Sequence, residues 1–135
     1  MTQRVELNPG WPWIEKIRVT PGVKVGDTIY TAGQVPFDAD GNVIGASDAA
    51  AQSRAVFENL RAVLAEGGAT MDDVVKILVF LVDLKDFPAF SAARAEAFPN
   101  KVPASSVVGT PALAHPDLLV EVEAIAVVGS GAESA

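Results

Sequence analysis

The stretch Val74-Val75-Lys76-Ile77-Leu78-Val79-Phe80-Leu81-Val82-Asp83 decides the architecture. It is rich in β-branched residues and apolar on both alternating faces. It is too short for a comfortable helix, so it reads as a central strand buried on both sides. A strand of that kind needs neighbours on either edge and a layer packed against it. The flanking sequence supplies both.

Upstream, Val56, Leu60 and Val63 recur at helical spacing with Phe57 and Leu64 beside them, which predicts a helix from Asp48 to Glu66. Ser47 is its expected N-cap, Asp48 suits the first turn, and Gly67-Gly68 stops it. Asp72-Asp73 make a short turn before the central strand. Downstream, Phe87 to Phe98 predicts a second helix, with Pro88 in its first turn and Phe90, Ala93, Arg94 and Ala97 on one face. Pro99 to Pro103 ends it.

Further out lie the other strands. Val23-Lys24-Val25 and Thr28 to Ala32 flank Gly26-Asp27 and read as a hairpin. Ile14 to Thr20 alternates imperfectly and reads as an edge strand, after an irregular Asn8-Pro9-Gly10-Trp11-Pro12. Asp38 to Asn42 is turn chemistry with Asp40-Gly41 at its tip. Ser105 to Thr110 and Leu119 to Val128 are the last two strands, joined through the turn Ala114-His115-Pro116-Asp117. In the last strand Glu121 and Glu123 share one face, and Val120, Val122 and Ala124 the other. The order is hairpin, helix, strand, helix, two strands. This is an α+β domain of one sheet with two helices on one face. Residues 1–128 form the expected single domain, and the small, polar segment 129–135 is expected to be a disordered tail.

Composition narrows the function. The chain has 135 residues, half of them hydrophobic, more than one small core consumes, which points to buried contacts between copies. Seventeen acidic against ten basic residues give a net charge of -7 without a basic cluster, so neither nucleic acid nor a membrane surface is an expected partner. The absence of cysteine excludes disulfides, thiolate metal sites and thiol nucleophiles, and one histidine excludes a multi-histidine metal centre in one chain. Gly129-Ser130-Gly131 is not placed between a strand and a helix, so it is no phosphate cradle, and no cofactor is expected. Ser106, His115 and Asp117 assemble into a triad only on paper, because Ser106 lies in no nucleophile elbow. The opening MTQRVELNPGW lacks an apolar signal core, and a cytoplasmic location is the expectation.

Five segments together carry a family resemblance over about residues 22–128. They are VKVGDTIYTAGQVPFDADGNV with Ala32-Gly33-Gln34-Val35-Pro36 inside it, Val75-Lys76, Asp83-Leu84-Lys85-Asp86-Phe87, Pro103-Ala104, and the closing Val120 to Val128. In this order and spacing they resemble the RidA (YjgF-like, reactive-intermediate deaminase) family. The resemblance implies a chorismate-mutase-like fold, a homotrimer, and clefts between subunits. There a small amino-acid-derived imine or enamine metabolite is hydrolysed to a keto acid and ammonia.

The same resemblance assigns candidate site residues. Glu121 matches the cleft glutamate and is the candidate catalytic group, which would orient water and carry its proton. Gly33 and Gln34 match the backbone and wall of the cleft, and Thr31 offers a hydroxyl. Deaminating members follow Pro-Ala with an arginine that suits a substrate carboxylate. Here Ser105 stands in that place. Val107 occupies the position of an often reactive cysteine, and Val19 that of a common tyrosine. Arg18, beside Val19, is a candidate to restore the positive charge. Each has a plainer reading: strand serine, turn glycine, surface arginine, solvated glutamate pair. His115 reads as a solvent-exposed loop residue; Trp11 and Trp13 read either as caps of the cleft or, more plainly, as anchors of an N-terminal arm. Three functions therefore stay open: an imine or enamine deaminase, a non-catalytic binding or sensing trimer, and a pathway-specific enzyme with altered chemistry. The net acidity argues against a nuclease.

Overall fold

The computed structural model describes residues 3–132. One six-stranded sheet contains β1 (Arg4–Leu7), β2 (Gly22–Val25), β3 (Thr28–Thr31), β4 (Val74–Leu81), β5 (Ala104–Gly109) and β6 (Val120–Val127), in the order β1-β2-β3-β6-β4-β5. β4 pairs antiparallel with β6 and parallel with β5, the parallel pair being linked through α3 (Phe87–Ala97). Together with α2 (Ala49–Glu66), α3 covers one face of the sheet, giving the single-sheet α+β fold.

Alternation builds the core. Ile77, Val79 and Leu81 of β4 and Val120, Val122, Ala124 and Ala126 of β6 point under the helices and are buried. They meet Val56, Leu60, Val63 and Leu64 of α2 and Phe90, Ala93 and Ala97 of α3. Phe57 joins the two helices, its ring centroid 5.7 Å from Phe90 and 5.6 Å from Phe98. Side chains of this size each contribute about 1.5–3 kcal/mol on burial.

Four local expectations are corrected. Ile14 to Thr20 is not an edge strand: Ile14–Ile17 form a short helix, α1, that ends in left-handed Arg18 (φ 53, ψ 46). The i, i+3 spacing of Ile14 and Ile17 is helical, and it prevails over the imperfect alternation. The edge position belongs to Arg4–Leu7, whose pairing runs Leu7 to Gly22 and Arg4 to Val25. Ser47 adopts φ 64 before the helix, and it is Asp48 that caps α2, accepting from Ala51 N at 3.0 Å. Finally, β4 is buried on one face only. Leu78 and Phe80 remain partly exposed on the side that carries no helix. That open face also holds Tyr30, Ile125, Val25 and Val108.

The expected tail divides. Residues 129–132 turn back onto the short 3₁₀ turn Met71–Asp73, where Gly131 N donates to Asp73 Oδ1 at 2.9 Å. Residues 133–135 lie outside the described residues.

Candidate functional site

β3 loses its pairing with β6 after Tyr30, and the chain rejoins β6 only at Gln34. There Gln34 N donates to Val122 O at 2.7 Å and Val122 N to Gln34 O at 3.1 Å. Between these points Thr31 Oγ1 accepts from Ala124 N at 3.0 Å, while Ala32 N donates to Pro21 O. The gap is thereby bridged by a side chain, and the backbone at Gly33 comes against Glu121. A Cβ built on Gly33 would fall 2.6 Å from Glu121 Cδ and 2.9 Å from its Cγ. Glycine is thus required here for close approach, as no larger residue leaves the carboxylate where it is.

Glu121 and Gly33 line a cavity of about 410 Å³. One wall is Trp13, Ile14, Ile17 and Val19; another is Ala32, Gln34, Val35 and Phe37; the loop before β6 adds Ala114, His115 and Leu118. The lining is chiefly apolar. Among the described residues Glu121 is its only carboxylate and no lysine or arginine contributes. Burial raises the proton affinity of Glu121 above that of an ordinary carboxyl, and the charge of Glu123 adds to it. Among the described residues no hydrogen bond or ion pair to Glu121 offsets this.

Aromatic packing shapes the entrance. Trp11 and Trp13 stack at 5.8 Å, Trp13 meets the edge of Phe37 at 5.1 Å, and Phe37 meets His115 at 6.4 Å. His115, expected to be solvent-exposed, is instead partly buried in the cavity wall; its Nδ1 accepts from Asp117 N at 3.0 Å. Trp11 packs against the core, and Trp13, stacked on it, lines the cavity. Two amides of α2 hold the loops in place. Gln52 Nε2 donates to Asp117 O at 2.7 Å and to Gly45 O at 3.3 Å, and its Oε1 accepts from Leu119 N at 2.8 Å. Asn59 Nδ2 donates to Val35 O and Phe37 O, both at 2.9 Å.

The candidate residues separate into two groups. Glu121, Gly33, Gln34 and Val19 come together in the cavity. Thr31 and Gln34 already have structural partners, the Gln34 amide donating to Ala32 O at 3.1 Å and Pro21 O at 3.4 Å. Arg18 is exposed and faces a separate groove with Glu6, Asn8 and Glu15. Ser105 and Val107 sit on β5, at the sheet edge. Ser105 pairs with Ile77 and Glu121 with Phe80, so they project from opposite faces with β4 between their strands. Within one chain they do not meet. Val107 packs against the core, and Ser105 Oγ accepts from Arg94 Nη1 at 2.9 Å. Ile17, Phe37 and Leu118 were not singled out as cleft residues from the sequence, and Gln52 was missed although it falls in the helical row of Val56 and Leu60. A polar residue within an apolar row was the signal. Among the described residues no cluster of three metal-ligating side chains occurs, and no helix is long and apolar enough to cross a membrane.

The comparisons with known proteins agree on this fold. The sequence profile described as Endoribonuclease L-PSP matches residues 17–128. A RutC family protein of Pyrococcus abyssi is 41% identical over 104 residues, spanning 77% of this chain and 81% of the relative. One from Saccharolobus solfataricus is 41% identical over 105 residues, spanning 78% and 82%. Among solved structures, a YjgF-family member from Mycobacterium tuberculosis superposes with a TM-score of 0.81 at 28% identity, covering 93% of this chain and 100% of that one. RidA from an Antarctic Psychrobacter gives 0.77 at 33% identity, covering 82% and 88%. With its fold, its Ala32-Gly33-Gln34-Val35-Pro36 turn and its closing strand in register, the chain belongs to the Endoribonuclease L-PSP family of RidA/YjgF-like proteins.

Proposed function

We propose that the protein is a hydrolytic deaminase of small imine or enamine metabolites, acting as a homotrimer at clefts shared between copies. The observation that carries this reading is Glu121, a single half-buried carboxylate set against the Gly33 backbone in an otherwise apolar cavity. Water adds to the C=N carbon while Glu121 takes its proton. The proton is returned to nitrogen, giving a carbinolamine; the carboxylate then carries the hydroxyl proton to the amino nitrogen as the C–N bond breaks, and the products are a carbonyl compound and ammonia. A carboxyl with raised proton affinity is matched to this exchange. An enamine first tautomerises to the imine, the same carboxyl giving a proton to carbon and taking one back from nitrogen.

Self-association is supported by the apolar sheet face that no helix covers, where Tyr30 is 51% and Val108 41% exposed. It would also bring β5 of one copy toward the Glu121 cavity of another. The second reading, a trimer that binds a small ligand without turnover, is favoured by the uncharged Ser105 with Val107 and Val19. Ammonia and keto-acid release from enzymatically generated 2-aminoacrylate separates the two. Acceleration that Glu121→Gln abolishes is expected. A rate equal to buffer, with ligand-dependent thermal shifts, establishes the binding role instead.

A further inference from the structure

We propose that Arg94 is a carboxylate-binding residue, presenting its guanidinium at Ser105 on the edge strand. It rises from the last turn of α3, where its Cζ lies 5.4 Å from the Phe90 ring centroid and 5.8 Å from that of Phe87. Stacking of this kind fixes the plane of the guanidinium. Nη1 donates to Ser105 Oγ at 2.9 Å and Nη2 to Ser91 Oγ at 3.4 Å. Both partners are neutral hydroxyls. Arg54 and Arg61, the other arginines of this side, pair with Glu96 and Glu58, whereas Arg94 forms no ion pair among the described residues. A partly buried, aromatic-braced cation with neutral partners keeps its charge available.

The remaining chemistry selects the ligand. An arginine has five N–H donors in a planar fork, and two are engaged here, so donors remain for a carboxylate. The neighbouring surface is apolar: the Phe87 ring against the guanidinium is 40% exposed. The site therefore fits a small organic monocarboxylate with an apolar body. The side chain at 105 carries no charge of its own; Arg94 brings one to the same point of β5. Placing this group opposite a second copy's cavity rests on the reading above, but carboxylate binding by Arg94 does not.

Isothermal titration of the full-length protein with benzoate and its neutral isostere benzamide tests the assignment. Benzoate is expected to bind at least about tenfold more tightly. Arg94→Gln should remove that preference, and Arg94→Lys should keep part of it by charge without the fork. Ser105→Ala should weaken benzoate severalfold. Circular dichroism verifies that each variant is folded. Equal binding of the two probes, or benzoate binding unchanged in Arg94→Gln, overturns the proposal. So does the absence of benzoate binding with an oligomer that dissociates in Arg94→Gln, since Arg94 would then hold a side-chain carboxylate of another copy. Benzoate preference without ammonia release refutes the deaminase reading alone; ammonia release with no preference refutes only this assignment.

Discussion

The Glu121 carboxylate occupies the space a side chain on Gly33 would need. The two residues form one device: glycine on the β3 side admits the acid from β6. Because the clash is with the movable end of a glutamate, Gly33→Ala should cost under about 1 kcal/mol of stability. It should displace the carboxylate, however, and lower kcat/KM for imine hydrolysis roughly 10–100-fold. Thermal melts and steady-state kinetics on the same preparation check both halves.

Glu121→Gln should reduce kcat/KM by about 10²–10⁴. Its stability should move the other way with pH. The folded state binds the Glu121 proton more tightly than the unfolded chain does. The wild type therefore holds this stabilisation below its ordinary value of 4.5 and loses it as pH rises through the raised one. Relative to wild type, the Gln variant should gain melting temperature as pH rises from 4.5 through that raised value.

Asp73 behaves oppositely. Burial pushes its carboxyl up, but N–H donors of Thr70, Gly131 and Gly129 outweigh this and hold it below its ordinary 3.8. Asp73→Ala leaves Thr70 N and Gly131 N without their acceptor and should cost about 1–3 kcal/mol at neutral pH. The carboxylate's contribution is present above 3.8 and is lost as pH falls through the lowered value, so the difference should shrink in acid. Urea titrations at pH 7 and below pH 3.8 measure it.

Gln52→Leu keeps the volume of a fully buried side chain and deletes three hydrogen bonds to the cavity loops. A loss of about 1–3 kcal/mol is expected. Hydrogen exchange should rise first at Leu119 N, whose acceptor is removed.

Leu78→Lys tests the open face. Leu78 pairs with Glu123, so a lysine there gains a cross-strand partner and a lone chain should keep its fold. In a trimer the same charge would be buried between copies. Light scattering should show a monomer with native circular dichroism; an intact oligomer would remove this face from the interface.

Periodicity in the sequence determined most of the fold, because strand and helix differ in which residues they bring to one side. Val74 to Leu81, Val120 to Val127 and the Val56–Leu60–Val63 stripe each bury one alternating or helical set, and that set is local information. Glu121 could be placed opposite a buried row for the same reason. Tertiary structure alone decided that β1 is the edge, that Gln52 ties down the loops, and that Arg94 reaches Ser105. Each depends on contacts between segments distant in the chain, whose free energies exceed the small local preferences. Arg94 shared a helical face with Ala93 and Ala97 in sequence; only the packing of α3 beside β5 turned that position into a charge at the sheet edge.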